Sequence, residues 1–317
     1  MISNKSKIYV AGHNGMVGSA VWNKLNQYGY TNLVGKTYTE MDLKDQNSVF
    51  DFYRKEKPEI VIDAAARVGG ILANKNYPYQ FLMENMQIQN NLIDHALQFG
   101  VKKFIFLGSS CIYPKFAPQP LKEEYLLTGS LEQTNDCYAI AKIAGVKACE
   151  AIRKQFNKDF ISLMPTNLYG FRDNFDLETS HVLPAMIRKF HEAKEKNNKS
   201  VKLWGSGAPK REFLFVEDLA GAVLFTLNND TNGSIYNVGS GTEISIKNLA
   251  KLVQNTVGYK GEIIWDKNKP DGTPRKLLDV SKLEKLGWSN ATDLKKGIQK
   301  TYKWFKENIN NYRKVKL

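Results

Sequence analysis

The sequence predicts an α/β fold: a doubly wound parallel sheet with a smaller, mixed C-terminal lobe. Short apolar strands alternate with helices of ten or more residues through the first half, as in a parallel sheet. A glycine-rich turn joins the first strand to the first helix. After about residue 170 the segments shorten, and turn clusters appear at residues 205–209, 229–233 and 270–274. We therefore expect two parts, residues 1–170 and residues 171–317, the second interleaved with the last strands of the sheet.

The spacing of apolar residues predicts each element of the first half in turn. Apolar runs of strand length are followed by segments in which apolar residues recur at helical spacing. Gly100 follows the third helical segment directly and is expected to end it. Strands are predicted at residues 7–12, 32–36, 59–66, 103–108 and 160–165, and helices at residues 16–28, 46–56, 78–100 and 138–156.

The composition argues against several classes of protein. The chain is 42% hydrophobic and 24% charged, which is ordinary for a globular protein. No apolar run reaches the roughly 18 residues of a membrane span, and no signal peptide precedes the first strand, so we expect a cytoplasmic protein without membrane contact. The spacing of Cys111, Cys137 and Cys149 matches neither a disulfide framework nor a metal site.

The net charge of +13 permits a polyanionic partner. Most of the excess is lysine rather than arginine, and most of it falls after residue 250. Arginine is the residue favoured for reading bases, and no zinc-finger, RNP or helix-turn-helix pattern is present. The excess therefore indicates either a solvated lysine-rich surface or a lobe that accepts a nucleotide diphosphate, and no nucleic-acid partner is expected.

The segment GHNGMVG at residues 12–18 is the first motif that carries chemistry. It follows the first predicted strand and opens the first predicted helix. Glycine there permits a tight turn and a close approach of the backbone to a pyrophosphate, which the helix N-terminus binds with its free N–H groups. Although the spacing differs from GxGxxG, this context predicts a Rossmann-type dinucleotide site.

The second motif combines Ser109 with Tyr138 and Lys142. Ser109 follows the fourth predicted strand, at the edge of the sheet where ligands bind. Tyr138 and Lys142 are four residues apart on one predicted helix and share a face. A nearby ammonium should lower the pKa of the phenol from about 10, which makes tyrosine a usable proton donor or acceptor.

These motifs resemble those of the extended short-chain dehydrogenases that act on nucleotide sugars. Ala64, Ala65 and Ala66 at the end of the third strand belong to the same pattern. Three further segments are similar to those of one branch, the GDP-L-fucose synthases, over about residues 7–305. These segments are GSSCIYP at residues 108–114, PTNLYG at 165–170 and PDGTPRK at 270–276.

The resemblance implies an epimerase/reductase whose substrate is a GDP-linked 4-keto-6-deoxy sugar. Cys111 matches the family's base and His181 its acid for inverting C3 and C5 beside the ketone. Ser109 and Tyr138 would hold the C4 oxygen, and Lys142 the nicotinamide ribose of NADPH. From residue type alone, Cys111 would be an inert core thiol and His181 a packing or capping residue.

The resemblance also implies the binding residues for the cofactor and for GDP. Departures from the family's common pattern are Asn14, Tyr38 and Lys189, where arginines are usual. NADP(H) is the expected cofactor, and NAD(H) stays open because only Lys36 remains near a 2′-phosphate. Cofactor contacts are implied for Gly12, Asn14, Gly15, Met16, Val17, Lys36, Leu107, Gly108, Lys142, Pro165, Asn167, Leu168 and His181, and substrate contacts for Lys189, Trp204, Arg211 and Asp271.

Two alternatives to an enzyme that makes GDP-L-fucose stay open. One is a C4 reductase with partial or no epimerase activity on a related GDP-4-keto sugar, such as a 6-deoxyheptose, because pocket shape rather than a motif selects the C6 substituent. The other is a dinucleotide sensor without turnover, against which Ser109, Tyr138 and Lys142 argue. The family pairs the helices at residues 78–100 and 138–156 across a two-fold axis, which implies a homodimer.

Overall fold

The computed structural model describes residues 2–269 and 271–310, and a six-stranded parallel sheet lies at its centre. Pro270, which opens the PDGTPRK segment, lies outside these residues. The strands are, in chain order, β1 (Ile8–Ala11), β2 (Leu33–Val34), β3 (Ile60–Asp63), β4 (Lys103–Leu107), β5 (Asp159–Pro165), β6 (Asn167–Tyr169), β7 (Ser200–Trp204), β8 (Lys210–Phe215), β9 (Ile235–Val238), β10 (Glu243–Ser245), β11 (Glu262–Asp266) and β12 (Arg275–Lys276).

The helices are, in chain order, α1 (Met16–Gln27), α2 (Gln46–Glu56), α3 (Ile71–Asn76), α4 (Pro78–Gln98), α5 (Asp136–Phe156), α6 (Val182–Glu195), α7 (Val216–Asn228), α8 (Ile246–Val257), α9 (Ser281–Glu284) and α10 (Leu294–Glu307). The central sheet has the order β2-β1-β3-β4-β5-β9, and each neighbouring pair is parallel. The prediction of a doubly wound parallel sheet is confirmed.

Strand β4 shows why this sheet needs a helical layer on each face. All five of its residues are buried, and alternate side chains enter opposite cores. Phe104 and Phe106 pack with α2, α4 and α5, whereas Ile105 and Leu107 pack with α1 and α7. Lys103, at the start of the strand, pairs with Asp159 at an N–O distance of 3.0 Å.

The second half of the chain builds a smaller region around a third core. Strands β6, β8, β10 and β12 form a mixed sheet, and β7 pairs with β11. Helices α6, α8 and α10 cover them. Strand β9 returns from this region to the edge of the central sheet, beside β5. The division of the chain into two parts at residue 170, with the second interleaved with the central sheet, stays a prediction.

Glu212 holds β8 and the chain after β12 together, and these two strands carry the cationic side chains of Arg211 and Lys276. It is completely buried on β8, and its carboxylate accepts hydrogen bonds from the N–H groups of Gly241 (2.7 Å) and Leu278 (3.0 Å). The second bond holds the chain just after β12 against β8. In the pairing of those strands, Lys276 lies opposite Arg211.

Two differences from the predicted elements lie at the edge of the sheet that matters for function. The third strand ends at Asp63 rather than at residue 66, because the chain then leaves the sheet and lines a cavity. Helix α3 was not predicted, since six residues are too few to show a helical period. No helix of the described residues is long and apolar enough to cross a membrane.

Candidate functional site

The turn at residues 12–18 is built so closely that only glycine fits at two of its positions. Gly12 has a φ of +75°, and a Cβ there would lie 2.8 Å from the carbonyl oxygen of Ala64. A Cβ on Gly18 would lie 2.1 Å from the carbonyl oxygen of Gly12, so helix α1 packs directly on the turn. Gly15 precedes α1 and has no side chain to cap it. The first N–H groups of α1 are therefore available to a ligand.

The residues near the expected 2′-phosphate carry less free positive charge than the sequence suggested. Lys36 pairs with Glu40 at an N–O distance of 4.0 Å, and both side chains are exposed to solvent. The Glu40 carboxylate also accepts hydrogen bonds from the N–H and the hydroxyl of Thr37, which lower its pKa. Asn14 and Tyr38 are exposed. The sequence reasoning missed Glu40, an acid four residues after Lys36.

An open cavity of about 510 Å³ lies at the carboxyl ends of the central strands, beneath the second region. This is the edge of a doubly wound sheet where ligands bind. Gly12, Asn14, Gly15 and Lys36 do not line it. Every other residue predicted for catalysis or binding does: Met16, Val17, Leu107, Gly108, Ser109, Cys111, Tyr138, Lys142, Pro165, Asn167, Leu168, His181, Lys189, Trp204, Arg211 and Asp271.

Tyr138 and Lys142 lie on one face of α5 at the floor of the cavity. Lys142 is 3% exposed and donates a hydrogen bond from Nζ to the carbonyl oxygen of Leu107, at 2.9 Å. Its ammonium also lies over the ring of Phe106, 4.6 Å from the centroid. Burial lowers the pKa of Lys142. The end of strand β4 therefore fixes this side chain.

The prediction that Lys142 lowers the pKa of Tyr138 is wrong for this structure. Burial raises the pKa of Tyr138 well above its usual range, and the charges of Cys111 and Asp63 act in the same direction. A hydrogen bond with the Ser109 hydroxyl has the opposite, smaller effect. Desolvation of the phenolate is the largest of these effects, and Lys142 is not among the groups whose charge acts on Tyr138. Tyr138 is thus held protonated, as a proton donor must be.

Cys111 and His181 line the same cavity from different parts of the fold. Cys111 is buried in the 3₁₀ turn after β4, and its N–H donates to the Ser109 hydroxyl, at 3.3 Å. Burial raises the pKa of the thiol, while the charges of Lys276 and Lys142 lower it. His181 precedes α6 and is exposed to solvent through the cavity. Desolvation by the surrounding protein atoms lowers its pKa, and the positive charge of Lys276 lowers it further.

The four residues predicted for the GDP moiety form the outer rim. Trp204 is 41% exposed, and the ammonium of Lys189 lies 5.7 Å from its ring centroid. Arg211 is half-buried, and burial lowers its pKa while Asp271 raises it. Asp271 accepts hydrogen bonds from the N–H and the hydroxyl of Ser206, both at 2.7 Å. In this structure its carboxylate holds the turn that follows β7.

Lys276 is a residue of the site that the sequence reasoning did not single out. It lines the cavity, and its charge acts on Cys111, His181 and Arg211. It ends the PDGTPRK segment, so a signal was present. Asp173 also lines the cavity, and burial raises its pKa to about 7. No pattern in the sequence distinguished Asp173 from an ordinary loop acid.

Comparisons with known proteins cover both the sheet and the rim. A family model described as the NAD dependent epimerase/dehydratase family matches residues 8–239, from the start of β1 to just past β9. The GDP-L-fucose synthase 1 of Arabidopsis thaliana is 55% identical over 98% of this chain and 96% of its own length. The GDP-L-fucose synthase of Escherichia coli (strain K12) is 49% identical over 98% of this chain and 99% of its own.

Among solved structures, one similar chain is MlghC, a GDP-mannoheptose C4 reductase from Campylobacter jejuni with NADP bound. It is 40% identical, with a TM-score of 0.88, and the match covers 96% of this chain and 100% of that chain. The similarity to both kinds of relative therefore covers the sheet, the cavity floor and the rim.

Proposed function

The chain belongs to the NAD dependent epimerase/dehydratase family, and we propose that it converts a GDP-linked 4-keto-6-deoxyhexose into GDP-L-fucose by epimerising C3 and C5 and reducing C4 with NADPH. The observation that carries the proposal is the shared cavity. A thiol, an imidazole and a tyrosine–lysine pair line its floor and wall, while cationic side chains line its rim.

The residues at the sheet edge fit a dinucleotide cofactor. The closely packed glycines let a pyrophosphate approach the backbone, and the uncapped N-terminus of α1 supplies N–H donors. Met16 and Val17 open α1, and Leu107, Gly108, Pro165, Asn167 and Leu168 line the cavity at the ends of the central strands. Lys142 would hold the nicotinamide ribose, and Lys36 is the cation nearest the predicted 2′-phosphate position. When bound, NADPH supplies the hydride that reduces C4.

For the reduction, Tyr138 would donate its proton to the alkoxide that forms at C4. The raised pKa of Tyr138 keeps that proton in place until negative charge develops on the oxygen. Ser109, which lowers the pKa of Tyr138 and accepts a hydrogen bond from the N–H of Cys111, would hold the same oxygen. The hydroxyl and the phenol together stabilise charge on O4.

For the epimerisation, Cys111 would act as the base and His181 as the acid at C3 and C5. The ketone at C4 makes both C–H bonds acidic, because either carbanion delocalises into the carbonyl as an enolate. Ser109 and Tyr138 would stabilise that enolate oxygen, as they do the alkoxide. Lys276, whose charge acts on both Cys111 and His181, favours the thiolate form of the base.

The rim would bind the GDP moiety through charge and stacking. The guanidinium of Arg211 can bind a diphosphate with two parallel hydrogen bonds, and Lys189 adds a second positive charge. The exposed face of Trp204 offers a surface for packing. Asp271 would contribute indirectly, by holding the turn beside Arg211.

A second candidate function is C4 reduction of a related GDP-4-keto sugar such as a 6-deoxyheptose. The observation that favours it is the 40% identity to a GDP-mannoheptose C4 reductase over nearly the whole chain. In that case Cys111 and His181 would epimerise one centre or none. The two candidates share the cofactor site, the GDP rim and the roles of Tyr138 and Lys142.

The experiment that separates these candidates follows the sugar's protons. The protein is incubated with GDP-4-keto-6-deoxy-D-mannose and NADPH in deuterated water, and the product is examined by NMR. We expect GDP-L-fucose with deuterium at C3 and C5. Reduction without deuterium, or no turnover, would contradict the proposal, and a GDP-4-keto-6-deoxyheptose would then be tested. Binding of NADPH without turnover of either sugar would favour a sensor.

Two further features belong to the proposal. The protein would be a homodimer in which α4 and α5 pair with their copies, and both helices carry exposed apolar side chains, Tyr79 and Ile140 among them. Light scattering after size exclusion tests this. The division into a cofactor part (residues 1–170) and a substrate part (residues 171–317) and the cytoplasmic location stay predictions.

A further inference from the structure

Asp63 is a buried acid that the proposed mechanism does not use. It ends β3, in register with Ala11 on β1 and Phe106 on β4. Residues paired across parallel strands point to the same face, so Asp63 faces the layer formed by α4 and α5. The side chain is 1% exposed. One carboxylate oxygen accepts a hydrogen bond from the N–H of Ala65, at 3.1 Å. The other is buried without a hydrogen-bond partner among the described residues.

The same layer holds the buried ammonium of Lys142. This ammonium lies over the ring of Phe106, the register partner of Asp63, and it bonds the carbonyl oxygen of the next residue, Leu107. That bond supplies no counter-charge. Lys142 forms no ion pair with a carboxylate in the described part of the chain, so its charge is balanced only through space. Asp63 is the carboxyl group that acts on it, and each charge stabilises the other.

We propose that Asp63 is a positioning residue for the tyrosine–lysine pair: its carboxylate offsets the buried charge of Lys142 and keeps both Lys142 and Tyr138 protonated. The negative charge makes loss of a proton harder for each group. Lys142 thus stays a cation that can bind a ribose, and Tyr138 stays a proton donor. The cavity floor would then keep the protonated tyrosine that reduction of a ketone needs as the pH rises.

Other titratable groups share this layer and belong to the same electrostatic system. Among the described residues Asp63 is the carboxylate that acts on Lys142, and the thiolate of Cys111 acts on it in the same direction but more weakly. The groups whose charges act on Asp63, on Lys142 or on Tyr138, or are acted on by Asp63, are Tyr9 from β1, Tyr53 from α2, Cys111 from the turn after β4, and Tyr138 and Cys149 from α5.

The first test measures the coupling directly, without cofactor or turnover. The protein is labelled with ¹³C at the aspartate carboxyl groups, and the resonance lost in Asp63→Asn is followed against pH. If that variant does not fold, Asp63→Ser identifies the resonance. We expect a midpoint of about 6 in the parent protein, because burial raises the pKa of Asp63 to about 6. In Lys142→Met the midpoint should rise by about one unit, since the attracting charge is gone. A shift below about 0.2 units would overturn the proposal.

The second test asks whether the coupling affects catalysis, and it rests on the proposed function. In Asp63→Asn the basic limb of the kcat profile should move about one unit toward lower pH, because Lys142 and Tyr138 then lose their protons more easily. KM for the GDP sugar should stay within about twofold of the parent value. Ser162→Ala is the matched control. Ser162 is buried in register with Phe106 on the next strand and carries no charge.

The outcomes of the two tests separate the two proposals. If the parent protein turns over no GDP-4-keto sugar, the proposed function fails, while the NMR coupling still decides the pairing of Asp63 with Lys142. If the coupling is present but the basic limb of Asp63→Asn matches that of Ser162→Ala, the positioning role is wrong. If the basic limb of the kcat profile moves to lower pH in Asp63→Asn but not in Ser162→Ala, the positioning role is supported.

Discussion

The floor and the rim of the cavity use charge in opposite ways. On the floor, Lys142 is 3% exposed, and burial shifts the pKa values of Tyr138, Lys142 and Cys111 away from their usual ranges. On the rim, Trp204 is 41% exposed and Asp271 is exposed as well. Solvent screens the exposed charges of the rim more strongly than the buried charges of the floor. The floor therefore suits proton transfer, and the rim suits binding of a charged nucleotide.

The largest expected effect comes from removing the proton donor of the floor. Tyr138→Phe should lower kcat by about 10² to 10⁴-fold, the usual contribution of a positioned general acid. Binding of NADPH, measured by fluorescence titration, should change little because the phenyl ring keeps its packing against Phe81. Tyr28→Phe changes an exposed tyrosine just after α1 and serves as the control. A fall in kcat of less than about tenfold would mean that another group protonates the alkoxide.

Cys111→Ser tests the other chemical function of the floor. Deuterium incorporation at C3 and C5 should fall by at least about 10²-fold, because a serine hydroxyl is a far weaker base than a thiolate. In the parent protein the exchange rate should rise between pH 7 and pH 9, since burial holds the pKa of the thiol above its usual value and the thiolate is the working form. Cys137→Ser, on a half-exposed thiol of α5, is the control. Unchanged exchange in Cys111→Ser would assign the base to another residue.

The sequence predicted the floor's architecture better than its electrostatics. The alternation of strands and helices and the glycines of a tight turn are both local patterns. The sheet and the turn at residues 12–18 were therefore predictable. The rise in the pKa of Tyr138 was not, because it depends on atoms that α5 meets only after packing. Asp63 gave no signal either. A single acid inside an apolar strand shows its partner only when β3, β4 and α5 are assembled.

The rim was predictable only through resemblance to a family. Lys189, Trp204, Arg211 and Asp271 are spread over more than 80 residues, and no local period connects them. Arg211 and the segment that carries Asp271 meet because β8 pairs with β12 and because Glu212 fixes the chain beyond β12, whereas Lys189 comes from α6 and Trp204 from the end of β7. The same pairing of β8 with β12 places Lys276 in the site. Long-range strand pairing of this kind cannot be read from composition or spacing.

On the rim, the expected effects are on binding rather than on turnover. Arg211→Lys should raise KM for the GDP sugar about tenfold with little change in kcat, because lysine keeps the charge but cannot form two parallel hydrogen bonds to a diphosphate. Arg275→Lys is a matched control, since Arg275 donates to Glu243 instead, at 2.7 Å. A fall in kcat without a rise in KM would place Arg211 with the floor and break the division.

The smallest expected effect lies beyond the rim, at the exposed pair of Lys36 and Glu40. Glu40→Gln removes the carboxylate that shares the charge of Lys36, so the preference for NADPH over NADH should rise about two- to fivefold. Because both side chains are exposed, the gain should shrink as salt is added, whereas an effect on a buried floor charge would persist. Glu307→Gln, which breaks another exposed pair at an N–O distance of 4.0 Å, with Lys303, is the control. An increase that does not depend on salt would show that Glu40 acts through the shape of the site, and the contrast between screened and buried charge would not extend to the cofactor.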